Sequence, residues 1–336
     1  MSLLTKILPL MAACGACLLS CSGKTGTASR PTADATPALE ERGAFSADSA
    51  YAQVVRQVAL GPRTPGSEAH GRCADMLEQT LRRYGADTVV SLRGEATAWD
   101  GTVLPVRNIW ARYNIAAPSR ILLVAHYDTR PWADRDADEA NHNTPIDGAN
   151  DGASGVAVIL EIARNLGLRA PEVGVDILLT DCEDSGTPAG HDTGADEDSW
   201  CLGTQLFADN LPYAAAERPR MGILLDMVGG RDARFHREYF SARRAPAATD
   251  KVWAMAARMG LGDRFPDAVG GAITDDHLPL IAAGIPTTDI IESANAVTGS
   301  FAPTWHTLDD NIDHIDRESL SAAGRVVLNV IYYEKP

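Results

Sequence analysis

Acidic and imidazole side chains recur in this chain at one kind of place, directly after a short apolar run. His126-Tyr127-Asp128 follows residues 121–125, Asp181-Cys182-Glu183-Asp184 follows residues 175–179, and Asp226 follows residues 221–225. A weaker run at 286–291 is preceded by Thr274-Asp275-Asp276-His277 and followed by Trp305-His306-Thr307. The Gly-rich turn Asp147-Gly148-Ala149-Asn150-Asp151-Gly152 adds a carboxylate in front of a helical stretch. Imidazole and carboxylate without thiolate is the donor set of a catalytic zinc, or less often of another divalent metal. Each residue taken singly has a plainer reading. Asp151 can cap the following helix, and Asp184 can be a solvated loop residue. Their repeated position after apolar runs is what points to a metal site.

Such residues meet only if the runs are neighbours in one sheet. The runs at 121–125, 175–179 and 221–225, with the weaker one at 286–291, offer apolar side chains to both faces. Strands of that kind lie inside a sheet covered by helices on both sides. Residues 88–97 and 103–113 alternate and predict a pair of strands. Helices are predicted over 46–60, 67–84, 152–166, 201–210, 250–259 and 317–333. In the second, Ser67 caps, Met76, Leu77, Leu81 and Tyr84 recur at helical spacing, and Gly85 stops it. The predicted class is α/β, a three-layer α/β/α sandwich with a central mixed, mostly parallel sheet. Ligands of open α/β sheets bind beyond the carboxyl ends of the strands. His126, Asp151, Glu183, Asp184, Asp226 and His306 are therefore expected along one edge.

The composition narrows the function. The 336 residues carry 45 acidic and 30 basic side chains, a net charge of −15, and only 6% aromatics. That argues against nucleic acid as a partner and against a base-stacking platform. Lys6 and the apolar run 7–20 read as an export signal, too short to span a bilayer. The run ends in Leu18-Leu19-Ser20-Cys21, which resembles a bacterial lipobox, with Cys21 lipidated. The expected organisation is a signal peptide at 1–20, a Ser/Thr/Ala/Gly/Pro-rich tether at 21–44, and one catalytic domain at 45–336. The expected location is the bacterial cell envelope, on the periplasmic side or at the outer membrane, held only by the lipid anchor. Three cysteines, Cys73, Cys182 and Cys201, fall in the domain, and whether Cys182 pairs with Cys201 is left open.

Taken in order, the motifs resemble the zinc aminopeptidase superfamily, and within it the glutaminyl cyclases of the animal and bacterial type. They are Pro65-Gly66-Ser67, His126-Tyr127-Asp128, Gly148-Ala149-Asn150-Asp151, Asp181-Cys182-Glu183-Asp184, Asp226-Met227-Val228-Gly229, Asp275-Asp276-His277-Leu278-Pro279, Gly284-Ile285-Pro286 and Trp305-His306-Thr307-Leu308-Asp309-Asp310. The resemblance runs from about residue 62 to residue 333 and implies a zinc-exopeptidase-like fold. It implies one Zn2+ per chain on Asp151, Asp184 and His306, with Glu183 as proton carrier and Asp226 paired with Asp275. The aminopeptidase branch would instead hold two zincs, adding His126 and Asp226 as ligands. Two consecutive Asp residues, Asp275 and Asp276, and a Trp before His306 favour the cyclase branch. Departures are Asp184 where Glu is usual, and Asp289 where the animal enzymes have His. Ser185 to Ser199 is an insertion, Gly- and Asp-rich, expected to be a solvated loop over the site; as a calcium loop it lacks EF-hand spacing.

The substrate so implied is a peptide or protein with N-terminal Gln, acted on by a monomer. Its α-amine would close on the side-chain amide carbon and expel ammonia. The metal would polarise the amide, and Glu183 would move the proton. Trp305 is expected as an apolar wall against the Gln side chain, and Trp132 at the pocket mouth. His126, Asp128 and Asp289 are expected to support the ligands or, for His126, to hold a second metal.

Overall fold

The computed structural model describes residues 39–191 and 196–336. Its strands are β1 (Thr88–Thr97), β2 (Val103–Tyr113), β3 (Arg120–His126), β4 (Gly174–Thr180), β5 (Met221–Leu225) and β6 (Thr287–Ile290). Its α-helices are α1 (Ala47–Val58), α2 (Glu68–Arg83), α3 (Ala153–Leu168), α4 (Leu202–Asp209), α5 (Tyr239–Arg244), α6 (Pro246–Arg258), α7 (His277–Ala282) and α8 (Arg317–Tyr333). The strands form one sheet in the order β1-β2-β4-β3-β5-β6. β1 and β2 enter antiparallel, and β4, β3, β5 and β6 run parallel to one another.

Every residue of β3, β4 and β5 is buried. Within β3 the side chains divide: Ile121, Leu123 and Ala125 join a core with α1, α3, α6 and α8, while Leu122 and Val124 join a smaller core with Phe207, Leu280 and Ile285. That division explains why the strand reads as a continuous apolar run. The result is the three-layer sandwich that the pattern predicts. Because β3, β4, β5 and β6 are parallel, their carboxyl ends open on the same edge.

Close helix–sheet contact holds that edge in register. A Cβ on Gly155 of α3 would stand 2.0 Å from the carbonyl oxygen of Leu225. The helix that follows Asp151 therefore packs directly on the strand that leads to Asp226. Gly152 is equally confined, since a Cβ there would stand 2.4 Å from Nε2 of His126.

Three expectations need correction. Helices α5 and α7, of six residues each, were not expected, since neither is long enough to show a helical period. Helix α6 starts at Pro246, four residues before the predicted Asp250, because proline fits the first turn where its missing N–H is not needed. The tether does not extend to residue 44. Arg42 N–H donates to Asn329 Oδ1 at 2.7 Å, Ala44 N–H donates to Asn165 Oδ1 at 2.9 Å, and the Phe45 ring lies on Gly324. Residues 39–44 are thus part of the folded unit. The export signal, Cys21 and the rest of the tether lie outside the described residues. Among the described residues, no helix is long and apolar enough to cross a membrane.

Candidate active site

Two of the loops that carry the acidic residues are each pinned by a buried aspartate. Asp128, just past β3, accepts the backbone N–H groups of Glu183 and Asp184, both at 3.1 Å. Asp310 does the same for Asn150 and Asp151, at 2.7 and 3.1 Å. Two consecutive N–H donors on one carboxylate fix a loop in direction as well as position. Asp128 thus supports the Glu183-Asp184 pair through the backbone. Asp310 closes the motif at residues 305–310, but its part in pinning Asn150 and Asp151 shows only in the structure.

Asp151, Asp184 and His306 then converge, with one donor atom from each lying within 4.8 Å of the others. His306 Nε2 lies 3.2 Å from Asp184 Oδ1 and 3.6 Å from Asp151 Oδ2. Its Nδ1 lies 3.5 Å from Asp134 Oδ1, so the ring turns its other nitrogen to the two carboxylates. Asp184 Oδ2 is buried and has no hydrogen-bond partner. Burial lifts Asp184 to about 7 and Asp226 to about 6, the latter with help from the Asp151 charge. Burial, followed by the Arg130 charge, holds His306 well below its usual value and so neutral. A neutral imidazole, an orphaned carboxylate oxygen and carboxyls raised by burial fit a divalent cation.

A second group shares Asp151. His126 Nε2 lies 3.0 Å from Asp151 Oδ1 and 3.2 Å from Asp226 Oδ1. Burial disfavours a charge on His126, but Asp128, Asp151 and Asp226 outweigh it and its pKa lies well above the usual value.

Glu183 lines the same cavity, and it is almost fully buried. Burial and the charges of Asp275 and Asp184 raise its carboxyl well above the usual range. Asp275 is raised as well, by burial and then by Asp226. Glu183, Asp275 and Cys201 bring donor atoms within 4.8 Å of one another. Cys201 Sγ lies 3.3 Å from Glu183 Oε1, while Cys182 Sγ points to the Pro105 carbonyl. The two sulfurs therefore face different ways, and all three domain cysteines are free. Asp276 is not on the cavity but accepts from Thr180 Oγ1 at 2.5 Å and ties α7 to β4. Asp289 stands behind Asp275, away from the cavity, with His277 Nδ1 3.8 Å from its carboxylate.

The cavity encloses about 300 Å3. Its floor is Asp151, Glu183, Asp184, Asp226, Asp275 and His306, and its walls include Trp305, Phe301 and Trp200. Trp305 stacks on His306 with ring centres 3.9 Å apart. Trp132 does not line this cavity, contrary to expectation; it faces a neighbouring one, and Trp200 takes the wall position. Sequence reasoning missed Trp200 because it closes the 185–199 insertion, where no periodic pattern marks it. That insertion is not wholly solvated. Its first residues are buried, Thr187 N–H donates to Ser199 Oγ at 3.1 Å, and Trp200 packs on Gly186. Residues 192–195 lie outside the described residues.

The sequence pattern of peptidase family M28 matches residues 108–331. The crystal structure of a Bacteroides thetaiotaomicron glutaminyl cyclase bound to N-acetylhistamine is similar, with 48% identity and a TM-score of 0.84. That match covers 88% of this chain and 100% of the other. The glutaminyl-peptide cyclotransferase of Bos taurus is 23% identical over 294 residues, which is 79% of this chain and 76% of the relative. Aminopeptidase YwaD of Bacillus subtilis is 27% identical over 223 residues, and the match spans 65% of this chain but 42% of that relative's length.

Proposed function

The chain belongs to peptidase family M28, in the branch that includes bacterial glutaminyl cyclases, and from that premise we propose that it converts N-terminal Gln of peptides and proteins to pyroglutamate, releasing ammonia. The observation that carries the proposal is the small cavity in which Glu183 and Asp275 share a floor with Asp151, Asp184 and His306 under aromatic walls. At about 300 Å3 it is at the small end of ligand pockets, the size for one terminal residue.

Zinc held by Asp151, Asp184 and His306 would polarise the side-chain amide carbonyl of the substrate. Glu183 takes a proton from the attacking α-amine and returns it to the departing nitrogen, which leaves as ammonia. Its raised affinity for protons suits it to both halves of that exchange near neutral pH. Asp226 and Asp275 hold the substrate amine and stabilise the charge that passes through Glu183. They are coupled by burial and repulsion and titrate as a pair. Trp305, Phe301 and Trp200 keep water from the amide, so that the tethered amine is the nucleophile.

We assign one zinc per chain. His126 Nε2 lies between Asp151 and Asp226, where a protonated imidazole would take the place of a second cation. The same three residues also support a second reading, a two-metal aminopeptidase in which His126 and Asp226 bind metal and water attacks the peptide bond. A mass-spectrometric time course separates the two. Given a short peptide beginning with Gln, the zinc-loaded enzyme is expected to remove one ammonia and leave every peptide bond intact. Release of free Gln with a peptide one residue shorter would sink the cyclase reading.

Location enters the proposal through Cys21. Thioether-linked lipid on that residue would hold the enzyme on the exported side of a bacterial membrane, where newly processed chains with N-terminal Gln are met. Cells expressing the protein should incorporate labelled palmitate into it, and Cys21→Ala should abolish the label. Equal labelling of both proteins would refute the anchor.

A further inference from the structure

A second cavity, of about 400 Å3, stands beside the catalytic one, and nothing in the proposed chemistry uses it. Trp99, Trp132, Asp134, Glu139, His142 and His191 are among its lining residues, and no Lys or Arg is. Trp99 and Trp132 meet edge to face, with ring centres 6.3 Å apart at 71°, and make an aromatic corner. Trp132 already faces one cation, since the Arg130 guanidinium carbon lies 5.5 Å from its ring centre. That cation is not free to bind a guest. Arg130 donates to both oxygens of Asp134 at 2.7 Å, so the two charges cancel.

Glu139 is different. It is exposed at the rim and, among the described residues, its carboxylate has neither an ion-pair nor a hydrogen-bond partner. An edge-to-face indole pair, with the His191 ring packed 5.5 Å from Trp99, and an unpaired carboxylate, on a chain of net charge −15, form an environment that favours a cation. The cavity is also joined to the catalytic centre. Asp134 lines it and lies 3.5 Å from Nδ1 of His306. From Trp132 the path to His306 runs through Arg130 and Trp200, in steps of 5.5, 4.7 and 6.1 Å. An extended peptide advances about 3.3 Å per residue, so a chain anchored by its first residue reaches that corner at roughly its third to fifth residue.

We propose that this cavity is a substrate subsite that takes a Lys or Arg side chain at the third to fifth residue of a peptide whose first residue is Gln. It rests on the cyclase reading and adds a preference within it.

The test uses the zinc-loaded enzyme and four peptides: Gln-Ala, and Gln-Ala-Ala-Xaa-Ala with Lys, norleucine or Glu as Xaa. Norleucine matches the length of lysine without its charge. The expected kcat/KM is about tenfold higher for Lys than for norleucine, the factor that a partly desolvated cation–π contact confers, and lowest for Glu. Trp99→Leu and Glu139→Gln should each bring the Lys to norleucine ratio towards one and leave Gln-Ala turnover unchanged. Glu139→Lys should favour the Glu peptide. Equal rates for Lys and norleucine in the unaltered enzyme would overturn the subsite, as would a lysine preference that survives both substitutions. Failure to cyclise any peptide, Gln-Ala included, would overturn the catalytic reading and the subsite with it.

Discussion

Replacing Glu183 with Gln is expected to lower kcat for a Gln-peptide by about 10²- to 10⁴-fold, the usual worth of one positioned acid–base group. Zinc content and thermal midpoint should be unchanged. The substitution keeps the shape of the side chain, and Glu183 is not one of the three residues that converge on the metal position. The Cys201 thiol, which lies 3.3 Å from the Glu183 carboxylate, would still find an oxygen there. The pH profile gives an independent check. Burial and the charges of Asp275 and Asp184 raise the Glu183 carboxyl, so its deprotonated, basic form is lost as pH falls through a value above the ordinary one. In the unaltered enzyme kcat/KM should therefore decline on the acid side, and in Glu183→Gln the limb belonging to this group should disappear. Activity within about threefold of the unaltered enzyme would show that another group carries the proton.

Removal of the metal is the second large effect. Dialysis against a chelator should abolish ammonia release, and zinc should restore it. His306→Ala should leave less than one zinc per chain and lower kcat/KM by at least about 10³-fold, since a Lewis acid contributes several kcal/mol to such a step. The loss follows from the way His306 is held. Its Nδ1 faces Asp134 and its Nε2 faces Asp184 and Asp151, so the ring is oriented on both sides towards the metal position. His126→Ala separates the one-metal and two-metal readings. With one zinc on Asp151, Asp184 and His306, that variant should still bind one zinc per chain. A fall from two zincs to one in His126→Ala would assign His126 to a second metal and favour the aminopeptidase reading.

These experiments depend on residues with unequal visibility in the sequence. Asp151, Asp184, Asp226 and His306 stand out because each follows an apolar run or a Gly-rich turn, and such runs are local signals. The long-range contacts that orient them do not. Asp310 pins the Asn150-Asp151 backbone across 159 and 160 positions of chain, and Asp128 pins Glu183-Asp184 across 55 and 56. Arg130, buried between Trp132 and Trp200, looks in sequence like any loop arginine.

The sequence by itself determined the order of the strands and of the six longer helices, the buried strands, and the side chains available at their ends. These follow from periods of two and 3.6 residues and from runs apolar on both faces, which any stretch of chain displays alone. Only the tertiary structure decided which ends meet. The parallel register of β3 with β4 and β5 brings His126, Glu183 and Asp226 to one edge. Packing put Trp200 on the cavity wall and left Trp132 to the cavity beside it. It docked residues 39–44 on the domain and turned the Cys182 and Cys201 sulfurs apart. Each outcome depends on contacts between segments distant in sequence, whose geometry no local pattern encodes.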